Sequence, residues 1–356
     1  MDSDSVGSSF PYKGQEFNDH SLVNGDCSAF SECSSDRSGE FTAASAYSRH
    51  LFVACATDNS DELISYLVSA LDSTNIDEQK QAAMEIRLLA KNKADNRIRI
   101  AETGAIKPLI SLISSNDPQL QEYGVTAILN LSLCDENKEE IASSGAIKPL
   151  VRALKFGTST AKENAACALL RLSQIEKNKT AIGKSGAIPP LVNLLETGSL
   201  RGKKDACTAL FSLCSVKENT LKAVQAGIMK PLVEMMSDFA SNMVDKSAYV
   251  AFLSVLSLLA SVVEARAEMV EEGGIPVLVE IVEVGTRRQK EIAVSILSQL
   301  CEDCVAYRTM VAREGAIPPL IALSQTGTSR AKHKAEALIE VLRQPRSANS
   351  AAEYNI

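Results

Sequence analysis

The sequence contains no tryptophan, and aromatic residues make up only 4% of its 356 residues. A core with so few rings has to be aliphatic, which favours packed helices over a β-sandwich or barrel. Histidine occurs three times, at His20, His50 and His333, and none forms a recognisable Cys–His or Ser–His–acid arrangement. Phosphate-binding loops and dinucleotide fingerprints are also missing. We therefore expect no enzyme and no cofactor.

Targeting and membrane signals are missing as well. The N-terminal MDSDSVGSSF has no basic region followed by an apolar stretch, and Met-Asp does not fit N-myristoylation. No apolar run is long enough to span a bilayer, so membrane insertion is not expected. The formal net charge of −7 argues against a nucleic-acid partner, which would require many phosphate contacts.

The nine cysteines show no regular framework of pairs. Cys167 and Cys207 lie in Ala-rich helical sequence, where a free thiol serves as a small buried hydrophobe. The single C-x-x-C, Cys301 and Cys304, lacks the second pair that a zinc site needs, so no metal is predicted. This usage is typical of a reducing compartment and predicts a cytoplasmic or nuclear protein.

One string of residues recurs along most of the chain. GAIKPLI begins at Gly104, and related strings begin at Gly145, Gly186, Gly227, Gly273 and Gly315. The successive steps are 41, 41, 41, 46 and 42 residues, a period typical of armadillo or HEAT arrays. The pattern predicts an all-α fold, a superhelical solenoid of about seven units over residues 58–344.

Each unit has the same predicted order of helices and turns. A glycine ends one helix, a proline marks the start of the next, and a longer amphipathic helix follows a polar turn. The first unit is less regular, with helices predicted over 61–73 and 76–92, and the last long helix is predicted over 329–344. The 46-residue step holds an insertion at 237–247, which we place in a loop.

The two ends of the chain differ from the repeats. Residues 1–57 are rich in Ser and Gly and carry eight acidic against three basic residues. Such a segment cannot bury enough apolar surface to fold alone, so we predict a disordered acidic head. Residues 345–356 are predicted to be a disordered tail.

Two longer strings point to a family. AAMEIRLLAKNKADNRIRIAETGAIKPLI (82–110) and NLSLCDENKEEIASSGAIKPLV (130–151) resemble the armadillo region of plant U-box proteins. Ligase activity in that family depends on a separate U-box domain opening with Cys-Pro-Ile, a motif that this sequence does not contain. The resemblance implies that the solenoid is a right-handed armadillo-repeat superhelix. It also implies a non-enzymatic scaffold that binds a kinase or a ubiquitin-pathway protein. An E3 ubiquitin ligase component acting with a separate catalytic subunit is an alternative.

In armadillo proteins the long helices line a concave groove, and alignment with the family pattern places three rows of side chains there. We call these the groove rows. Their predicted partner-binding members are Glu122, Thr126, Asn130, Glu163, Cys167, Arg171, Lys204, Thr208, Ser212, Ser254, Ser295 and Gln299. A nuclear transport adaptor is a further alternative, but the rows have no Trp ladder for gripping basic peptides.

Charge is unevenly distributed along the rows. The later long helices begin with basic residues, for example Arg287, Arg288 and Lys290, which oppose the helix dipole. We therefore predict a protein partner that presents an extended segment, acidic or phosphorylated, to the later repeats.

Overall fold

The structure is a computed structural model that describes residues 60–241, 246–302 and 304–344. The predicted head and tail lie outside these residues. The described part is all helical and contains no strand. None of its helices is long and apolar enough to cross a membrane.

Twenty helices follow one another in the described residues. In chain order they are α1 Ser60–Ala70, α2 Ile76–Asn92, α3 Ala94–Glu102, α4 Ile106–Ile113, α5 Pro118–Leu131, α6 Asp135–Ser143, α7 Ile147–Phe156, α8 Ser159–Leu172, α9 Glu176–Lys184, α10 Ile188–Thr197, α11 Leu200–Leu213, α12 Lys217–Gln225, α13 Met229–Ser241, α14 Lys246–Leu259, α15 Val263–Glu271, α16 Gly274–Val284, α17 Arg287–Glu302, α18 Val305–Arg313, α19 Ile317–Thr326 and α20 Ser329–Arg343. From α3 onward they repeat as a short, a middle and a long helix, as the sequence pattern predicts.

Glycine and proline set the joint between the short and the middle helix. Gly104, Gly145 and their four counterparts all adopt positive φ, between 77° and 90°. Glycine reaches this left-handed region without the steric cost of a Cβ atom. The middle helix starts two residues later, or one residue later after Gly273, and its proline falls in the first turn, where the missing N–H costs no hydrogen bond. The predicted helix starts are confirmed.

The long helices α2, α5, α8, α11, α14, α17 and α20 pack side by side in sequence order. Each also packs against the middle helix of its own unit. Leu131, Leu172 and Leu213, near the ends of α5, α8 and α11, are completely buried. One continuous aliphatic core thus runs between neighbouring units, so each unit depends on the next for burial of its apolar side chains.

The expected loop at 237–247 is wrong for most of its length. Residues 237–241 complete α13 and residues 246–247 open α14. At 13 residues, α13 is the longest of the middle helices described. The inserted residues continue the helix because none of residues 229–241 after Pro231 is a glycine or proline that would end it. Residues 242–245 lie outside the described part.

Candidate protein-binding face

The groove rows lie on the long helices, and the structure divides them by exposure. Eight members are partly exposed: Glu122, Arg171, Lys204, Thr208, Ser212, Ser254, Ser295 and Gln299. Four members are buried: Thr126, Asn130, Glu163 and Cys167. The expectation of exposure is therefore wrong for these four, which all belong to the early helices α5 and α8. Binding by the rows stays a prediction.

Bonds between neighbouring long helices account for two of the buried members. The Nδ2 of Asn130 donates to the Arg87 carbonyl oxygen of α2 at 3.0 Å. The Thr126 hydroxyl accepts from Asn164 Nδ2 of α8 at 2.9 Å. Beside them, the Arg87 guanidinium lies 4.8 Å from the centre of the Tyr123 ring. These polar groups join α2, α5 and α8 to one another.

The glutamates of the rows also bond to the next unit. Glu122 accepts from the hydroxyl of Thr158 at 2.6 Å, and Glu163 accepts from that of Ser199 at 2.5 Å. Thr158 and Ser199 are the N-cap residues of α8 and α11, and each also accepts a backbone N–H of its own helix. One hydroxyl thus caps its helix and holds the neighbouring one. Sequence reasoning assigned both glutamates to partner contact and missed this role.

The same bond recurs near the other end. Thr328, the N-cap residue of α20, donates to Glu291 of α17 at 2.8 Å. Glutamate and hydroxyl are 36 or 37 residues apart in all three cases. Lys204 occupies the corresponding place in α11, and an ammonium cannot accept a hydrogen bond. This difference adds a positive charge to the middle of the face.

A buried charged cluster lies between α8 and α11. Arg201 Nε is 3.5 Å from Asp205 Oδ2, its Nη1 is 4.0 Å from Glu163 Oε2, and its Nη2 donates to Asn164 at 2.8 Å. Burial raises the pKa of the Asp205 carboxyl to about 6, against the opposing effect of Arg201. Burial likewise lowers the pKa of Arg171, which Asp205 and Asp135 partly offset. Burial therefore disfavours the charged forms of both Asp205 and Arg171 at the centre of the face.

Two row members on the later helices direct their hydroxyls to carbonyl oxygens of their own helices. The hydroxyl of Thr208 donates to the Lys204 carbonyl oxygen, and that of Ser254 donates to the Val250 carbonyl oxygen. Within the described residues, Gln299 Oε1 is buried and has no hydrogen-bond partner. These later helices leave more polar surface available than the early ones.

A row of asparagines at the starts of the short helices was not recognised from the sequence. Asn96, Asn137, Asn178 and Asn219 are spaced by 41 residues and are buried. Each donates to a carbonyl oxygen near the end of the preceding long helix, and Asn219 also bonds the Lys179 carbonyl oxygen of the previous unit at 3.1 Å. Helix ends leave such carbonyls without intrahelical partners. The 41-residue spacing was the available signal.

The cysteines follow the prediction in part. Cys207 is a free, buried thiol, and burial raises its pKa. Cys167 is disulfide-bonded, so the expectation of a free thiol there is wrong. Cys301 is buried and Cys304 is half-buried. In the described ranges no group of three or more His, Cys, Asp or Glu residues is arranged to hold a metal ion.

A shallow cavity of about 310 Å³ opens between the ends of α11 and α14. Its lining includes Leu258, which continues the groove rows, together with Thr220 and Lys217 of α12. The cavity extends the face at the side where the long helices end.

Sequence comparison relates most of this chain to plant proteins. A family model described as the plant U-box protein ARM repeat region matches residues 62–355. U-box domain-containing protein 4 of Arabidopsis thaliana is 70% identical over 234 residues, which cover 66% of this chain and 28% of that protein. U-box domain-containing protein 2 of the same plant is 64% identical over 235 residues, 66% of this chain and 32% of the relative. Stretches in other relatives are shorter: U-box domain-containing protein 12 of Oryza sativa subsp. japonica is 60% identical over 67 residues, 19% of this chain and 11% of the relative. The chain thus spans a third or less of these relatives' lengths.

Solved structures share the fold at low sequence identity. A chain from a study of the interaction between cadherin and beta-catenin superposes with a TM-score of 0.74 at 17% identity, covering 84% of this chain and 59% of that one. A computationally designed armadillo repeat protein for modular peptide recognition gives a TM-score of 0.59 at 22% identity, covering 66% and 99%. The described helices therefore form an armadillo-repeat solenoid.

Proposed function

Since this chain belongs to the plant U-box protein ARM repeat region family, we propose that it recognises a partner protein along the long helices α8 to α20. The observation that carries the proposal is the row of partly exposed polar side chains there, including Thr208, Ser254 and Gln299. Polar groups in a shared row suit the backbone and side chains of an extended segment.

The buried row members on α5 and α8 restrict the proposed contact region to the later helices. Thr126, Asn130 and Glu163 are occupied by bonds to neighbouring helices. A partner would have to break those bonds and leave buried groups unpaired, which costs about 1–3 kcal/mol for each group. We therefore place the principal contacts on α11, α14 and α17. The buried row members on α5 and α8 instead hold neighbouring units in register.

A link to ubiquitination is the finer part of the proposal. The relatives are named for a U-box domain, and one of them is called an E3 ubiquitin-protein ligase. We propose that this chain supplies partner recognition for a ubiquitin ligase, with a kinase or a ubiquitin-pathway protein as the bound partner. An alternative in which it acts as a component of the ligase beside a separate catalytic subunit uses the same face.

Proximity labelling with matched variants tests the proposal. Lys204, Ser254 and Gln299 are replaced together by alanine in the full chain. The control replaces Lys148, Asn193 and Gln225, which are exposed and lie on α7, α10 and α12, so each variant loses one lysine. We expect the first variant to lose specific partners that the control retains. Equal labelling of every partner by both variants would show that the partners bind another surface of the protein.

A further inference from the structure

Five cationic side chains lie at the starts of α17 and α20. Arg287 and Arg330 are exposed, and Lys290, Lys332 and Lys334 are partly exposed. Within the residues that the structure describes, none of the five forms an ion pair. With Arg288 they form a cluster that we call the basic edge.

The two helices bring this cluster together because they lie in parallel and in register. The Thr328 hydroxyl at the start of α20 bonds Glu291 in the first turns of α17 at 2.8 Å. Lys334 Nζ donates to the Ser295 hydroxyl of α17 at 3.1 Å. The start of α20 is thus beside the start of α17, and Glu291 accepts the hydroxyl of Thr328 between them.

Local electrostatics favour an anion at this place. Neither α17 nor α20 has an acidic residue in its first turn, so the positive ends of both helix dipoles add to the side-chain charges. Lys290 Nζ bonds only a neutral acceptor, the Glu283 carbonyl oxygen, at 2.7 Å. A partner's anionic group would pair with cations that form no ion pair among the described residues.

We propose that the basic edge binds a phosphorylated segment of a partner protein that carries a second anionic group about three residues away. Packed helices lie about 8–10 Å apart, and an extended chain rises about 3.3 Å per residue, so three residues bridge α17 and α20. Arginine forks and lysine ammonium groups are both suited to phosphate oxygens. The proposal rests on the proposed function, because it names the chemistry of the segment recognised at the later end of the same face.

The size and sign of the charges favour a peptide over an anionic polymer. The whole chain carries a formal net charge of −7, which repels an extended polyanion or an anionic bilayer at long range. The basic edge is confined to two helices, and so it fits a short segment with two anionic groups. Nucleic acid and lipid are accordingly competing outcomes of the test.

Fluorescence anisotropy with the full chain tests the proposal. The probes are short labelled peptides in a neutral frame: one with two phosphoserines three residues apart, one with them adjacent, and one unphosphorylated. A single-stranded DNA oligomer and phosphatidylserine vesicles are tested alongside. We expect the widely spaced phosphopeptide to bind best, and Arg287→Ala combined with Arg330→Ala to weaken it roughly tenfold. The control combines Lys148→Ala with Lys155→Ala, which removes the same charge from exposed positions on α7.

Four results would overturn the inference: equal loss in the control, no dependence on phosphate spacing, binding that survives in the arginine variant, or tighter binding of the DNA or the vesicles. If the phosphopeptide fails while labelling still depends on Lys204, Ser254 and Gln299, the proposed function stands and only the inference about phosphate falls. If both fail, the face itself has been misassigned.

Discussion

Replacing Asp205 by asparagine tests the charged cluster between α8 and α11. The side chain is only 8% exposed, and burial raises its carboxyl pKa from 3.8 to about 6 despite the nearby Arg201. The difference is about 2 pKa units, and each unit corresponds to about 1.4 kcal/mol. Keeping Asp205 ionised in the folded state therefore costs about 3 kcal/mol at neutral pH.

The sign of the pH dependence follows from proton binding. Between about pH 4 and 6 the folded state holds a proton on Asp205 that the unfolded state has released. The contribution of this group to stability therefore falls as the pH rises through that window and is constant above it. The asparagine side chain of the variant does not titrate, so the wild-type stability minus the variant stability should fall by about 3 kcal/mol from about pH 4 to 7.

Urea unfolding of both proteins at several pH values measures this difference. Carboxylates with a lowered pKa, such as Asp117 and Asp135, are present in both proteins, so their contribution to the pH dependence cancels on subtraction. Carboxyl-carbon NMR titration of labelled aspartates, assigned with the variant, gives the pKa directly. A flat difference curve together with an Asp205 pKa near its ordinary value would refute the reasoning, because the group would then be ionised at little cost.

Three further substitutions test the parts of the solenoid. Leu172→Ala removes a completely buried side chain and should lower the free energy of unfolding by about 2–5 kcal/mol, measured by urea titration; a loss below about 1 kcal/mol would contradict the continuous core. Asn219→Ala leaves the carbonyl oxygens of Leu213 and Lys179 without their amide donor, so we expect about 2 kcal/mol of destabilisation and faster hydrogen exchange where α11 ends. In the Gly145→Ala variant the new Cβ meets no neighbouring atom, but the alanine has to adopt a φ of 90°. We expect the variant protein to be about 1 kcal/mol less stable and to melt at a lower temperature. An unchanged melting temperature would show that the left-handed backbone conformation at this position is not required.

Much of the fold follows from local physical chemistry that is written in the sequence. The predicted helix over 76–92 is α2, and each recurring glycine occupies the left-handed joint expected of it. These features depend on residues close together in the chain, so composition and spacing suffice to predict them. The expected loop at 237–247 was wrong for the same local reason, since residues 237–241 can continue a helix and do so in α13.

Only the tertiary structure decided which hydrogen-bond partner each polar side chain on the face has. The sequence by itself determined that Glu122, Glu163 and Asn130 would lie on the long helices. Stacking then placed a hydroxyl from the next unit against each glutamate, and the Arg87 carbonyl oxygen of the preceding helix against Asn130. These partners are 36 to 43 residues apart in the chain, and only the packing of neighbouring helices brings them within hydrogen-bonding distance.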